Sequence, residues 1–260
     1  MNKAQVKRIL KRLFDFRPVR NVTINVTALP QNQLLKSRCA IVTGGTSGIG
    51  YAIAEAFLKA GASVIITGRT KSRLDATIEK LKKTIDNALV LGIELDNTRV
   101  GSFEGVFQDM LAKVNTKGIP AIDILVNNAG LIKRNDAIDF TEDEWDSVIQ
   151  VNQKMVFFLS QAFAKQYIKQ GHGGKIININ SMLSYQGGIR VPSYTASKSA
   201  GMGLTKAMCN EWACHNINVN AIAPGYMATN NTAQLRSDSD RSEAIIDLSL
   251  IHISEPTRLL

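Results

Sequence analysis

From residue 39 onwards the chain alternates short apolar runs with longer segments in which apolar residues recur every three or four positions. The short runs are rich in Val and Ile and predict buried strands, whereas the longer segments predict helices. Thr141 and Glu144 have the spacing of a capping box and mark the start of the fourth helix. Such alternation is typical of an α/β fold with a doubly wound parallel sheet, Rossmann-like, in a three-layer αβα arrangement. The predicted strands cover 39–43, 63–67, 89–93, 122–126, 175–180 and 217–222, and the predicted helices cover 48–60, 71–85, 98–115, 141–170 and 194–214.

Residues 1–35 follow a different pattern and are predicted to form an N-terminal extension. Apolar residues at positions 6, 9, 10, 13 and 14 share one helical face, and the opposite face is basic. A basic amphipathic helix can contact a membrane surface, or it can dock on its own subunit or on a partner. We favour docking. Residues 36–247 are predicted to form the Rossmann-like domain.

The net charge of +9 is concentrated in the extension. Residues 1–20 contain seven Lys or Arg residues and one Asp, which leaves +3 for the rest of the chain. The domain is therefore not expected to bind nucleic acid, which requires a basic surface. No apolar run is long enough to span a bilayer, and no apolar stretch of a secretory signal follows the basic start. We expect a cytoplasmic protein with reduced cysteines and no metal site.

A glycine-rich turn, TGGTSGIG at residues 43–50, joins the first predicted strand to the first predicted helix. Backbone N–H groups at a helix start bind anions, and the helix dipole adds to the attraction. The glycine spacing differs from the Gly-x-Gly-xx-Gly pattern of many dinucleotide-binding folds, but the turn has the same position in the fold. We predict that it holds the phosphates of a dinucleotide through Gly44, Thr46, Ser47, Gly48, Ile49 and Gly50.

The end of the second predicted strand indicates which dinucleotide is bound. An acidic residue at this place would bind the ribose 2′-hydroxyl of NAD(H), but the chain has Arg69 there. A guanidinium matches a 2′-phosphate, to which it donates paired hydrogen bonds. We therefore favour NADP(H) as the cofactor and keep NAD(H) as the alternative.

Tyr194 and Lys198 lie four residues apart in SYTASKSA, so on a helix both side chains leave the same face. A phenol has an ordinary pKa of about 10, and a neighbouring ammonium favours the phenolate. We predict that Lys198 lowers the pKa of Tyr194, so that the phenol can move a proton near neutral pH. Two exposed residues without a function can have the same spacing, so this pair alone does not establish a proton-transfer site.

Further motifs, in a fixed order, make the chain resemble the short-chain dehydrogenases/reductases. Tyr194 follows Ser181 by 13 residues, which is the usual separation in that family. The resemblance covers about residues 38–247 and implies an oxidoreductase with a nicotinamide cofactor. The matching pieces are TGGTSGIG at 43–50, Asp96, NNAG at 127–130, Asn152, Ser181, YTASK at 194–198 and PG at 224–225.

The resemblance assigns roles to individual residues. It implies that Tyr194 is the acid/base, that Lys198 also holds the nicotinamide ribose, and that Ser181 hydrogen-bonds the substrate oxygen. Asn152 resembles the residue that kinks its helix and anchors a water molecule of a proton relay. The further cofactor contacts that the resemblance implies are Asp96 at the adenine, together with Asn128, Ala129, Gly130, Pro224, Gly225 and Thr229.

A narrower resemblance links the chain to the family's dehydrogenases of sugar acids such as 2-dehydro-3-deoxy-D-gluconate. The segment SYQGGIRVPSYTASK at 184–198 carries it. Asn180 departs from that group, which has a small residue there, and so does Arg69, because those enzymes are treated as NAD-linked. Among the cations of nearby loops, Lys133, Arg134 and Arg190, we hypothesise that Arg190 binds the substrate carboxylate.

Two alternative functions remain open at this point. The 3-oxoacyl-[acyl-carrier-protein] reductases of the same family share the general motifs. A non-catalytic dinucleotide-binding regulator could use the same fold, because fold alone does not give function.

Residues 248–260, LSLIHISEPTRLL, depart from the family pattern and resemble a translated sequencing adapter. Relatives continue with a seventh strand, so we expect a domain truncated before that strand and a non-native tail over 248–260. Family members form homotetramers with the help of the seventh strand, and without it the sixth strand is a bare edge. We expect a tetramer for the full-length parent and weaker assembly for the chain as written.

Overall fold

The computed structural model describes residues 30–119 and 121–227. The predicted N-terminal helix, Thr229 and residues 248–260 lie outside these ranges. Within the described ranges, no helix combines the length and apolar character that crossing a membrane requires. The strands are β1 (Cys39–Val42), β2 (Ser63–Gly68), β3 (Val90–Glu94), β4 (Ile124–Asn127), β5 (Gly174–Ile179) and β6 (Ile217–Ile222). The helices are α1 (Gly48–Lys59), α2 (Lys71–Thr84), α3 (Phe103–Asn115), α4 (Glu142–Ile149), α5 (Met155–Gln170), α6 (Leu183–Gln186) and α7 (Pro192–Trp212).

The six strands form one parallel sheet in the order β3-β2-β1-β4-β5-β6, which confirms the doubly wound prediction. The chain winds outwards from β1 in one direction and from β4 in the other. The carboxyl ends of β1 and β4 therefore flank the point where the strand order reverses, and open α/β sheets bind ligands at this point.

Helices cover both faces of the sheet, which is why the strands are apolar on both sides. On one face α1 and α2 pack through residues such as Leu58 and Leu74. On the other face α3, α5 and α7 form a larger core, in which the rings of Phe107 and Phe163 meet edge to face at 5.7 Å. All four residues of β1 are fully buried between these layers.

The predicted helix over 141–170 is one continuous helical segment with a change of winding in its middle. Its start is confirmed, because the Thr141 hydroxyl accepts from the Glu144 N–H (3.2 Å) and the Glu144 carboxylate accepts from the Thr141 N–H (3.0 Å). The segment Gln150–Lys154 between α4 and α5 is π-helical. Such a turn inserts one residue into the ladder and is common at functional sites.

One other predicted helix needs correction at its start, and one short helix was missed. The helix predicted over 98–115 begins as a short 3₁₀ segment, Val100–Ser102, before α3. The four-residue helix α6 was not predicted, because one helical turn is too short to show a periodicity.

Residues 31–35, which the sequence assigned to the N-terminal extension, contact the domain. A short 3₁₀ segment spans Gln31–Gln33. The Leu35 N–H donates to the Ala60 carbonyl at 2.8 Å, and its half-buried side chain packs against the core on the α1 and α2 face.

Buried amides tie the carboxyl ends of two central strands to the helices above them. Asn127, the last residue of β4, donates to the Ser160 hydroxyl of α5 and to the Asn178 side-chain oxygen of β5, both at 2.9 Å. Asn178 in turn donates to the Thr205 hydroxyl of α7 at 2.9 Å. Because buried polar groups need partners, this network fixes α5 and α7 relative to the strand ends.

Candidate active site

The carboxyl ends of the strands open into one cleft of about 870 Å³. Residues from both halves of the sheet form its wall, as the strand order requires. Within the described residues, no group of three His, Cys, Asp or Glu side chains could hold a metal ion. The predicted site residues that lie in the wall are Gly44, Thr46, Ser47, Gly48, Ile49, Gly50, Arg69, Asp96, Asn128, Ala129, Gly130, Ser181, Tyr194, Lys198, Pro224 and Gly225.

The glycine turn is built by close backbone packing. Gly44 has a positive φ of 64°, and a Cβ there would lie 3.0 Å from the Ala129 Cα. A Cβ at Gly50 would lie 2.4 Å from both the Gly44 carbonyl oxygen and the Asn128 Nδ2 atom. Asn128 Nδ2 donates to the Thr43 carbonyl at 2.9 Å, so the amide after β4 holds the turn in place. Helix α1 begins at Gly48, and its first N–H groups are available to an anion.

The wall continues past the end of β2 with two guanidinium groups. Arg69 follows β2 directly, and Arg73 lies in the first turn of α2. Both side chains are exposed, and both line the cleft. The sequence analysis missed Arg73, although its position four residues after Arg69 at a helix start was the signal that could have identified it.

Asp96 lies in the cleft wall at the carboxyl end of β3. Its Oδ1 atom accepts from the Thr98 hydroxyl (2.7 Å) and from the Thr98 N–H (3.0 Å). These hydrogen bonds lower the pKa of Asp96, with a smaller contribution from Arg99. The carboxylate is thereby held in one orientation and stays ionised.

Asn152 lies inside the π-helical turn and is 2% exposed. Its Oδ1 atom accepts from the Leu131 N–H (2.7 Å), and its Nδ2 atom donates to the Leu131 carbonyl (2.8 Å) and to the Ser197 hydroxyl (3.1 Å). The side chain is thus outside the cleft wall, and it joins the loop after β4 to helix α7. A Cβ at Gly130 would lie 3.5 Å from Asn152 Oδ1 and 3.9 Å from Lys198 Nζ, so all three residues are neighbours.

Lys198 is 5% exposed, and its Nζ atom donates to the Ile179 carbonyl at the end of β5 (2.6 Å). Burial disfavours the charged form and lowers the pKa of Lys198 to about 8. The lysine thus connects α7 to the sheet inside the cleft.

The structure corrects the predicted effect of Lys198 on Tyr194. Burial raises the pKa of Tyr194, and a hydrogen bond with Ser181 and the positive charge of Arg134 oppose the increase. Lys198 is not among these causes. Its Nζ atom lies over the Tyr194 ring, 5.7 Å from the ring centre, and it donates its hydrogen bond to the Ile179 carbonyl.

Arg190 does not lie in the cleft wall, and neither does Arg134. Its Nε atom lies 3.0 Å from Asp136 Oδ1, and its carbonyl accepts from the Asn135 N–H at 3.1 Å. Its backbone has a positive φ of 63°, so its side chain leaves the loop in an unusual direction. Arg134 is the half-buried loop cation whose charge acts on Tyr194.

A comparison of the sequence with known protein families agrees with the fold and the cleft. Residues 38–240 match the model of a family described as short chain dehydrogenase. The chain belongs to the short-chain dehydrogenase family.

Individual relatives are similar over most of this dehydrogenase. It is 51% identical over 213 residues to the 2-dehydro-3-deoxy-D-gluconate 5-dehydrogenase of Dickeya dadantii, which covers 82% of this chain and 81% of that protein. The enzyme of the same name from Bacillus subtilis is 44% identical and covers 82% and 80%. A crystal structure of a gluconate 5-dehydrogenase from Burkholderia cenocepacia in complex with NADP and tartrate is 33% identical, with a TM-score of 0.75 and coverage of 82% and 80%.

We expect the buried ammonium of Lys198 to make the stability of this dehydrogenase depend on pH. Burial lowers the pKa of Lys198 from 10.5 to about 8, so between these values the unfolded chain binds more protons than the folded one. The contribution of this group to stability therefore rises with pH. Between pH 7 and pH 10, the free energy of unfolding of the parent should increase by about 2 kcal/mol relative to that of Lys198→Met.

Urea unfolding of both proteins at the two pH values measures this change. Lys206, an exposed residue of α7, supplies the matched control, because Lys206→Met should follow the pH dependence of the parent. A difference in the free energy of unfolding between the parent and Lys198→Met that stays constant with pH would contradict a buried Lys198 ammonium.

Proposed function

We propose that this dehydrogenase transfers a hydride between NADP(H) and the secondary alcohol or ketone of a sugar acid such as 2-dehydro-3-deoxy-D-gluconate. The observation that carries the proposal is the shared cleft. The Tyr194 phenol, with its hydrogen bond to Ser181, stands in the same wall as the glycine turn and two guanidinium groups. The similarity to sugar-acid dehydrogenases from Dickeya dadantii and Bacillus subtilis supports this choice of substrate.

The side chains of the cleft fit a nicotinamide dinucleotide with a 2′-phosphate. The α1 N-terminus and the glycine turn suit the two bridging phosphates. Arg69 and Arg73 suit the 2′-phosphate, and Asp96 suits the adenine amino group. When bound, the nicotinamide supplies or accepts the hydride. The structure of the gluconate 5-dehydrogenase from Burkholderia cenocepacia contains NADP, which supports the preference over NAD(H).

Tyr194 exchanges the proton at the substrate oxygen, and Ser181 donates a hydrogen bond to that oxygen. Because burial raises its pKa, Tyr194 is protonated at neutral pH, which is the form that donates to a ketone as it is reduced. The reverse reaction needs the phenolate, so alcohol oxidation should gain rate as the pH rises. Lys198 holds the nicotinamide ribose and stays in place through its bond to the Ile179 carbonyl.

A spectrophotometric assay tests the proposed reaction. NADPH and NADH are each offered with keto-sugar acids and with acyl ketones, and the parent is compared with Tyr194→Phe. We expect turnover of a keto-sugar acid with NADPH and a loss of about 10³-fold in kcat for Tyr194→Phe, because a positioned proton donor contributes about 10²–10⁴-fold. The variant should bind NADPH like the parent. A preference for acyl ketones would favour an acyl-carrier-protein reductase, and unchanged turnover by Tyr194→Phe would contradict the assigned acid/base.

The preference for NADP(H) should depend on both guanidinium groups near the end of β2. Charge-assisted hydrogen bonds contribute about 1.5–3 kcal/mol each, so removing both should raise the KM for NADPH about 100-fold or more. In the double variant Arg69→Gln/Arg73→Gln, the KM for NADH should stay within about threefold of the parent value. Lys71 lies between the two arginines but outside the cleft wall, so Lys71→Gln is the matched control. Equal losses for NADPH and NADH would show that the arginines do not bind a 2′-phosphate.

We infer that Arg134, and not Arg190, binds the carboxylate of the substrate. Neither residue lines the cleft wall, but the half-buried Arg134 is near enough for its charge to act on the Tyr194 phenol of that wall, whereas Arg190 is exposed. Arg134→Gln should raise the KM for a keto-sugar acid about tenfold, the size of one charge-assisted contact, and leave the KM for NADPH unchanged. Arg190→Gln is the comparison and should change the KM by less than about threefold. The opposite ranking of the two variants would restore the hypothesis of Arg190.

We also propose cytoplasmic location and assembly as a homotetramer. The location rests on the free cysteines, and the tetramer, expected for the full-length parent, rests on the family resemblance. Light scattering of the purified chain measures whether it assembles more weakly.

A further inference from the structure

A buried amide separates the end of β5 from helix α7 next to the proton-transfer groups. Asn180 follows β5 directly and is 6% exposed. Its neighbours in the chain are Ile179, whose carbonyl accepts from Lys198, and Ser181 of the cleft wall. Its own N–H donates to the Ile222 carbonyl of β6 at 2.7 Å. The backbone on both sides of Asn180 is therefore part of the site.

The Asn180 side chain packs against the backbone of α7 at Gly201. A Cβ at Gly201 would lie 2.5 Å from Asn180 Oδ1 and 3.3 Å from its Cγ atom, which is closer than real Cβ contacts. Gly201 follows Lys198 by three residues, so both lie on the same face of the helix. The amide thus occupies the space beside the Lys198–Ile179 hydrogen bond, and only a glycine on α7 leaves room for it.

This contact carries two energetic costs. Asn180 Nδ2 is buried and has no hydrogen-bond partner among the described residues. An unsatisfied buried donor costs about 1–3 kcal/mol. A glycine inside a helix costs about 1 kcal/mol relative to alanine. Alanine at both positions would avoid both costs, so two unfavourable local choices meet beside Ser181 and Lys198. Such choices are typical of functional sites.

We propose that Asn180 and Gly201 form a spacer that sets the separation between the end of β5 and α7, and thereby positions Ser181 and Lys198 for the reaction. Both are positioning residues: Gly201 acts through the helix that carries Lys198, and Asn180, which also lines the cleft itself, acts through its chain neighbours. The inference rests on the proposed function, in which Ser181 and Lys198 serve hydride transfer.

The test compares four variants for kcat, its pH profile and thermal stability. Gly201→Ala directs a methyl group at the amide, and Asn180→Ala empties the space. We expect each to lower kcat about tenfold or more, because displacements of about 1 Å at a site can cost about 10²-fold. In Asn180→Ala/Gly201→Ala the methyl group takes the place of the amide, so kcat should return to within about threefold of the parent. Gly203→Ala, on the same helix, is the matched control, because a Cβ there would meet no atom within 4 Å.

A merely structural contact would change the melting temperature of the variants and leave kcat and its pH profile unchanged. That result would overturn the spacer. A double variant whose kcat is no higher than that of Gly201→Ala would also overturn it. If Gly201→Ala does not fold, recovery of folded and active protein in the double variant supports the spacer, and no recovery overturns it.

The binding of NADPH, followed by its fluorescence, separates failure of the spacer from failure of the proposed substrate. If the parent binds NADPH but reduces none of the sugar acids, the proposed substrate is wrong. The spacer is then judged on the dissociation constant, because Lys198 belongs to the cofactor site. Gly201→Ala should raise this constant about tenfold, with recovery in the double variant, and equal constants for all variants would overturn the spacer.

Discussion

The hydrogen bond from Lys198 to the Ile179 carbonyl is the interaction on which the arrangement of the site depends. An ammonium that is 5% exposed requires an oxygen acceptor, because an unpaired buried charge is strongly unfavourable. The acceptor belongs to the backbone at the end of β5, so it cannot move independently of the sheet. Helix α7, which also carries Tyr194, is therefore held in a defined position against the strand that leads into Ser181.

The other buried polar contacts support the same arrangement from several sides. Asn152 uses both atoms of its amide on Leu131 and reaches Ser197 of α7, and the π-helical turn gives it this direction. Farther from the cleft, the Asn127 and Asn178 amides connect the strand ends with α5 and α7. The groups proposed to handle the proton are thus fixed by regular elements rather than by surface loops, which favours a constant geometry.

Burial shifts the pKa values of Tyr194 and Lys198 in opposite directions. It raises the pKa of Tyr194, and it lowers the pKa of Lys198 to about 8. Both shifts favour uncharged groups, and a hydrogen bond with Ser181 and the charge of Arg134 oppose the shift of Tyr194. A substrate anion bound at Arg134, as proposed, would therefore change the field in which the Tyr194 proton moves.

The sequence by itself determined the strand and helix order, the glycine turn, Arg69 and the residues of the cleft wall, because these follow from local periodicity and from motifs at strand ends. It missed Arg73, and it could not show that Arg190 pairs with Asp136, because the direction of a loop side chain depends on distant partners. Spacing placed Tyr194 and Lys198 on one helical face, but it could not show that both are buried. Only the tertiary structure brought the Ile179 carbonyl, 19 residues before Lys198, into contact with the ammonium. Burial and long-range partners decide the charge state of these groups, and neither is present in a local pattern.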